Sequence, residues 1–287
     1  MRVVRTVADL RAALRPARRV DRSVGLVPTM GALHDGHLAL VARAREACDE
    51  VVVSLFVNPR QFDDAGDLAA YPRDEDRDAA VAEQAGADLL FAPAVEEVYP
   101  AGFATTVTVS GPQTETLEGA HRGVGHFDGV ATVVVKLLNM AQPDVAFFGQ
   151  KDAQQAVVVR RVVRDLDLPV RIELVPTVRE PDGLALSSRN VHLRGADRDR
   201  ALALSEGLAA ARARAAAGER DAAAVAAAGR EAMRARGVEP EYLAVVDPDS
   251  LLPLADVDGG ALVAVAARVG PTRLIDNVLI ETGNGRS

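Results

Sequence analysis

The sequence contains one cysteine, Cys48, and no tryptophan; three tyrosines and seven phenylalanines are its only aromatics among 287 residues. A lone cysteine excludes an intrachain disulfide framework and points to a reducing compartment. No run of 18 residues is apolar and free of charge, so no membrane-spanning helix is expected. The first twenty residues, MRVVRTVADLRAALRPARRV, are charged throughout and show neither the apolar core of a secretory signal nor the serines of a transit peptide. A cytoplasmic location follows as the expectation. Lysine is nearly missing as well: of 33 cationic side chains only Lys136 and Lys151 are lysines, and the rest are arginines. Arginine is a planar fork and lysine a compact point charge, so a surviving lysine is a candidate for point-charge chemistry, with chance survival as the alternative and, for Lys136 in the helical VVVKLLNM, the better account.

What is present is a globular composition. Hydrophobic residues make up 48%, enough for a sizeable core, and the net charge is −8, which argues against nucleic acid as the main partner. Short apolar runs at Val24–Val27, Val51–Val57, Asp88–Phe91, Val145–Phe148 and Val170–Val175 alternate with helical patterns. Near-continuous apolar strands separated by amphipathic helices predict a Rossmann-like, doubly wound parallel α/β sheet. After residue 177 the texture changes: residues 201–230 hold 15 alanines with charges interspersed, read as two helices broken near Gly218. Strands are predicted around Glu241–Val246, Ala261–Ala267 and Arg273–Ile280. The expected organisation is a domain of residues 1–177 that binds the ligands and a smaller α+β lid domain of residues 178–287.

Two strand ends carry the strongest chemistry. In VPTMGALHDGHLAL, a strand runs through Gly31 and Gly36 into a helix whose mouth bears His34 and His37. Glycines let backbone approach a ligand, and a helix N-terminus presents free N–H groups to an anion. Two imidazoles there suit phosphate; surface histidines or half of a metal site are the competing readings. In DVAFFGQKDAQQ, a strand ends at Gly149, followed by Lys151, Asp152 and the amides Gln154 and Gln155. Weaker signals are Ser187-Ser188-Arg189-Asn190, suited to a mobile phosphate loop, and SLFVNPRQF, whose Asn58 and Gln61 suit a small hydroxy acid. Gly123-x-Gly125-x-x-x-Gly129 follows no strand and has the wrong spacing for a dinucleotide loop, and no P-loop motif occurs. The acidic run Asp74, Glu75, Asp76, Asp78 reads as a solvated helix start with Mg²⁺ binding as the alternative.

Taken together, PTMGALHDGH, SLFVNPRQF, YPRD, GHFDGVATVV, FFGQKDAQQ, PTVRE, LSSRN and TRLIDN resemble the pantoate–β-alanine ligase (pantothenate synthetase) family, in order and over about residues 28–277. The H-x-G-H element alone marks only the wider nucleotidyltransferase superfamily. The resemblance implies ATP-dependent condensation of pantoate with β-alanine through a pantoyl-adenylate, with Mg²⁺ and a homodimer. It implies phosphate contacts and the catalytic work at His34, His37 and Lys151. ATP binding extends to Met30, Gly31, Gly36, Gly149, Gln150, Asp152, Val178, Leu186, Ser187, Ser188 and Arg189. Pantoate or β-alanine falls to Gln61, Gln155 and Asn58, and the metal to Asp78. The chain departs from the family pattern at Gln150, Ala153, Leu186 and Arg60. A different nucleotidyltransferase and a non-catalytic nucleotide sensor are the alternatives; the neutral amides Gln61 and Gln155 argue against the basic site an alcohol phosphate would need.

Overall fold

Six strands pair in parallel, in the order β1-β4-β3-β2-β5-β6: β1 (Arg2–Val4), β2 (Val24–Thr29), β3 (Glu50–Leu55), β4 (Leu89–Phe91), β5 (Val145–Gly149) and β6 (Arg171–Val175). The computed structural model describes residues 1–62 and 65–281. The chain divides into two compact units: Met1–Gln150 with Val158–Pro176, and Lys151–Val157 with the chain from Thr177 onward.

In the first unit, β2 is the central strand, and Leu26, Val27, Val52, Leu90 and Phe147 are fully buried, as an all-parallel sheet covered on both faces requires. The helix Val7–Arg18 is capped by the Thr6 hydroxyl, which accepts from Asp9 N at 3.0 Å. Its Arg11 and Arg18 donate to carbonyls of residues 139–142, where the helix Val124–Ala141 ends and its dipole is negative. From β2 the chain winds to β3 and β4 on one side and later to β5 and β6 on the other. The winding of the chain therefore reverses between the parallel neighbours β2 and β5, where open α/β sheets bind ligands beyond the carboxyl ends of their strands.

The opposite rim is closed by acids. Asp144 accepts from Val24 N at 2.7 Å, Asp88 from Val51 N at 2.8 Å, and Asp49 from Ser23 N at 2.8 Å. Three carboxylates at the amino ends satisfy the first strand amides and leave that rim hostile to an anion. The carboxyl rim holds the glycines and histidines instead.

The second unit contains the antiparallel sheet β7 (Pro240–Val246), β8 (Ala261–Val269) and β9 (Thr272–Ile280), in that order, with the helices Leu202–Ala216 and Ala222–Ala235. The alanine-rich stretch is thus helical. Its helices approach closely at Gly207 and Gly229: a Cβ on Gly207 would lie 2.6 Å from Met233 Cγ, and one on Gly229 would lie 2.9 Å from Gly207 O. Small residues set that separation, and Leu204, Leu208, Met233, Val263 and Val265 fill the core beside it. Strand β1 and the helix behind it were not among the predicted elements. The strand predicted over Val51–Val57 ends at Leu55, because the chain turns there into the 3₁₀ segment Pro59–Gln61.

Candidate active site

The turn after β2 is built around a buried carboxylate. Gly31 lies at φ +90° and Ala32 at +51°, so consecutive backbone N–H groups converge on one point. Asp78 fills it: its two oxygens accept from Ala32 N and Leu33 N, each at 2.8 Å, and Arg77 stands 3.3 Å away. A Cβ on Gly31 would lie 2.9 Å from Asp78 Oδ2 and from Leu55 Cδ1, so both conformation and space require glycine. Asp78 is 1% exposed. The expectation that it holds Mg²⁺ is corrected: both oxygens already hold the turn, and the carboxylate has no face toward solvent. No group of three or more His, Cys, Asp or Glu side chains able to hold a metal forms among the described residues.

The turn held by Asp78 delivers His34 and His37. His34 is the N-cap of the helix Asp35–Ala47, its Nδ1 accepting from Gly36 N at 3.1 Å; His37 Nδ1 accepts from His34 N at 3.3 Å. The rings lie 4.2 Å apart between centroids, tilted by 45°. A neutral imidazole whose Nδ1 accepts carries its proton on Nε2. Both rings therefore present Nε2–H donors, at a helix end already favourable to anions. Gly36 makes the arrangement possible, since a Cβ there would lie 2.8 Å from His34 Cε1. Met30 is half-buried in the same turn.

A second corner of this unit holds the amides. Asn58 is 1% exposed and fully bonded. Its Nδ2 donates to Gln61 Oε1 at 2.9 Å and Gly129 O at 3.1 Å; its Oδ1 accepts from Tyr99 Oη at 2.8 Å and Arg60 N at 3.3 Å. Asn58 was expected among the residues that touch the acid substrate; no atom of its amide is left for a ligand, and it holds Gln61 instead. The helix Val124–Ala141 presses on this turn at Gly129, where a Cβ would overlap Arg60 O at 2.1 Å. That close approach, not nucleotide binding, accounts for the third glycine of the Gly123–Gly129 pattern. His126 Nδ1 lies 2.8 Å from Gln61 O. Arg60, an unusual residue at its position, stacks its guanidinium over Tyr99 and Phe103 at 5.7 and 5.4 Å and donates to Thr106 Oγ1 at 2.8 Å. Burial pushes the Tyr99 phenol up to about 12, so it remains protonated at neutral pH.

Beyond β5, a Cβ on Gly149 would meet nothing within 4 Å, leaving open space at the strand end next to Gln150. The short 3₁₀ turn Gln150–Asp152 carries Lys151, whose side chain is 17% exposed with Asp152 Oδ1 at 3.7 Å. Within the second unit, the Lys151 carbonyl accepts from Asn277 Nδ2 at 2.9 Å. Asn277 N donates to Asp276 Oδ1 at 2.7 Å, and Asp276 receives both guanidinium arms of Arg179 at 2.6 and 3.0 Å. Arg179 also donates to Gly183 O at 3.1 Å. The segment around it is a small hairpin, with Leu186 N donating to Val178 O at 3.0 Å and Glu180 N to Leu184 O at 2.8 Å. Val178 and Leu186 are therefore direct neighbours. Ser187 caps the 3₁₀ segment Ser188–His192, its Oγ accepting from Arg189 N at 3.3 Å, while Asn190 Nδ2 donates to Glu180 Oε1 at 3.0 Å. Arg189 is exposed, and its guanidinium has no partner among the described residues. Gln155, in the first turn of the helix Ala153–Asp165, is half-buried.

The sequence reading missed Tyr99, Arg179, Asp276 and Asn277. The last three lie inside stretches quoted for the resemblance, PTVRE and TRLIDN; Tyr99 had no local signal at all.

The family profile described as pantoate-beta-alanine ligase matches residues 2–279. Over 282 residues the chain is 54% identical to pantothenate synthetase 1 of Bradyrhizobium diazoefficiens, covering 98% of each chain. It is 56% identical over 279 residues to a pantothenate synthetase of Thermus thermophilus, covering 97% of this chain and 99% of the relative. A crystal structure of pantothenate synthetase from Thermus thermophilus matches with a TM-score of 0.91 at 55% identity, over 97% of this chain and 99% of that one. The pantoate-beta-alanine ligase of Francisella tularensis, solved as a complex with "Beta-gamma ATP" and β-alanine, matches with a TM-score of 0.81 at 31% identity over 99% of both chains.

Proposed function

The chain belongs to the pantoate–β-alanine ligase family, and we propose that it makes pantothenate in two half-reactions on the residues described above. The overall reaction is ATP-dependent amide formation between pantoate and β-alanine. In the first half-reaction a pantoate carboxylate oxygen attacks the α-phosphorus of ATP; the new O–P bond forms as the bond to the bridging oxygen breaks and pyrophosphate leaves. In the second, the neutral amine of β-alanine attacks the acyl carbonyl, the C–O bond to AMP breaks, the electron pair leaves with AMP, and the surplus proton of the amine passes to solvent.

Two anions meet in the first step, so its barrier is dominated by repulsion that preorganised donors offset. The observation that carries the proposal is the histidine pair: both Nδ1 atoms are held by backbone N–H groups, so both Nε2–H groups are donors for phosphate oxygens. Lys151 supplies a point charge, and Ser187, Ser188 and Arg189 supply further phosphate donors. Met30, Gly31, Gly36, Gly149, Gln150, Asp152, Val178 and Leu186 contact the nucleotide. Gln61 and Gln155 hold pantoate in line, which contributes the orientation term, and Asn58 serves by holding Gln61. Mg²⁺ enters with ATP, carried by the phosphates. A cytoplasmic homodimer completes the proposal; no helix among the described residues is long and apolar enough to cross a membrane, and light scattering reads the oligomeric state.

The test is isotope exchange beside product release. ATP–pyrophosphate exchange is expected with pantoate alone, and net AMP release only when β-alanine is added. Exchange that requires β-alanine would overturn the free adenylate, and ATP binding without AMP release under any combination would leave a nucleotide sensor.

A further inference from the structure

Asn58 lies at the centre of a hydrogen-bond chain whose direction can be read without ambiguity. Two of its four partners are backbone groups of fixed polarity: Arg60 N–H donates to Oδ1, and Gly129 C=O accepts from Nδ2. Reversing the amide would set N–H against N–H and oxygen against oxygen, so Oδ1 must face Tyr99 and Nδ2 must face Gln61. The Tyr99 hydroxyl is then a donor to Oδ1 at 2.8 Å, and Gln61 Oε1 is an acceptor at 2.9 Å. With its oxygen turned inward to accept from Asn58, Gln61 keeps its NH₂ group as the donor for a ligand.

We propose that Tyr99 is a positioning residue for the acid substrate: its hydroxyl completes the hold on Asn58, and Asn58 fixes Gln61 with its NH₂ group toward the oxygens of that acid. This rests on the reading that Gln61 holds pantoate. The phenol is built to stay in place. Its ring packs against Phe103 at 5.1 Å and Phe56 at 6.1 Å between centroids, beneath the Arg60 guanidinium at 5.7 Å and the Lys136 ammonium at 5.9 Å. Without the hydroxyl the two backbone partners still fix which way the Asn58 amide faces, but its oxygen end keeps one restraint of two, so Asn58 and the Gln61 carboxamide bonded to it are held less tightly against the acid. The consequence is discrimination: the corner favours a ligand that accepts hydrogen bonds and penalises one that donates.

Steady-state kinetics of Tyr99→Phe, Gln61→Ala and the double variant test this, with the KM of pantoate and of ATP measured separately and melting followed in parallel. Tyr99→Phe keeps the ring and removes one hydrogen bond, so pantoate KM is expected to rise about three- to tenfold while ATP KM stays within about twofold. In the Gln61→Ala background the same change is expected to add less than about twofold, because the hydroxyl acts through that side chain. If Gln61→Ala leaves pantoate KM unchanged, the assignment of Gln61 fails and the positioning role fails with it. If Gln61→Ala raises it but Tyr99→Phe does not, only the positioning role is overturned. Equal effects of Tyr99→Phe on both substrates, or full additivity in the double variant, would show a packing residue and would also overturn it. Asn58→Asp supplies an independent arm: its second oxygen would face Gly129 O and Gln61 Oε1, and a larger loss in pantoate KM than for Tyr99→Phe is expected.

Discussion

Two corners of the molecule do the same job with different physics. In the first unit, every hydrogen bond that holds Asn58, and through it Gln61, joins neutral groups: an amide, a phenol and two backbone partners. In the second, the Arg179–Asp276 ion pair, 2.6 Å at its shortest with the carboxylate side chain 2% exposed, holds Asn277 and through it the Lys151 carbonyl. A neutral corner costs little to bury and loses about 1–3 kcal/mol when one partner is left unsatisfied. A charged corner is only as good as its pairing, and removing one partner strands a charge. The difference teaches where each unit is vulnerable: the ion-pair corner in its stability, and the amide corner, if Gln61 holds pantoate as proposed, in its specificity.

The largest expected effect separates what a corner holds from the corner itself. Lys151→Ala removes the point charge and leaves Asn277, Asp276 and Arg179 paired, since their anchor is the Lys151 carbonyl rather than its ammonium. Pantoate-dependent ATP–pyrophosphate exchange is expected to fall by about 10²–10³-fold with the melting temperature unchanged. Lys151→Arg is expected to be impaired too, because a wider fork replaces a compact charge. Exchange near the parent level in either variant would remove Lys151 from the phosphate site.

Next comes the ion pair. Asp276→Ala is expected to destabilise the protein by about 3 kcal/mol, the lower end of the buried-pair range because Arg179 is 31% exposed. Asn58→Ala is expected to cost about 1–2 kcal/mol, so chemical denaturation of the two variants ranks the corners directly. The double change Arg179→Met with Asp276→Leu sharpens the point, because an apolar pair of similar volume is expected to restore most of the loss in stability. It would not restore the hold on Asn277. A smaller loss for Asp276→Ala than for Asn58→Ala would reverse the ranking.

The same contrast explains what could be read before the fold was known. Strands β2 to β6 were legible because each is a local apolar run, and His34 and His37 because a strand, two glycines and a helix start adjoin them in sequence. Both corners depend on partners far along the chain: Tyr99 is 41 residues from Asn58, Gly129 is 71 away, and Asp276 is 97 from Arg179. Periodicity reports which face of an element is buried, never which distant polar group waits there. Asp78 shows the cost of reading locally. In its own segment it is one acid among several at a helix start, whereas its oxygens belong to a turn 46 residues earlier. Strand β1 escaped for a different reason: three residues carry too little pattern to stand out from the arginines around them.

The smallest effect concerns the second lysine, which composition alone could not explain. Lys136 places its ammonium 4.7 Å from the Phe103 centroid and 5.9 Å from that of Tyr99, on the aromatic pair that Arg60 also covers. A cation over a ring face is worth about 0.5–1 kcal/mol at a partly exposed site. Lys136→Met keeps the stem and removes the charge, so a loss of about that size is expected in denaturant unfolding. Lys136→Arg is expected to lie within about 0.5 kcal/mol of the parent, because a guanidinium also stacks on an aromatic face. The two lysines thereby part company: arginine is expected to serve at 136 and to fail at 151. Equal damage from Met and Arg at 136 would mean that the Phe103–Tyr99 pair too demands a point charge, and the contrast between the two lysines would be lost.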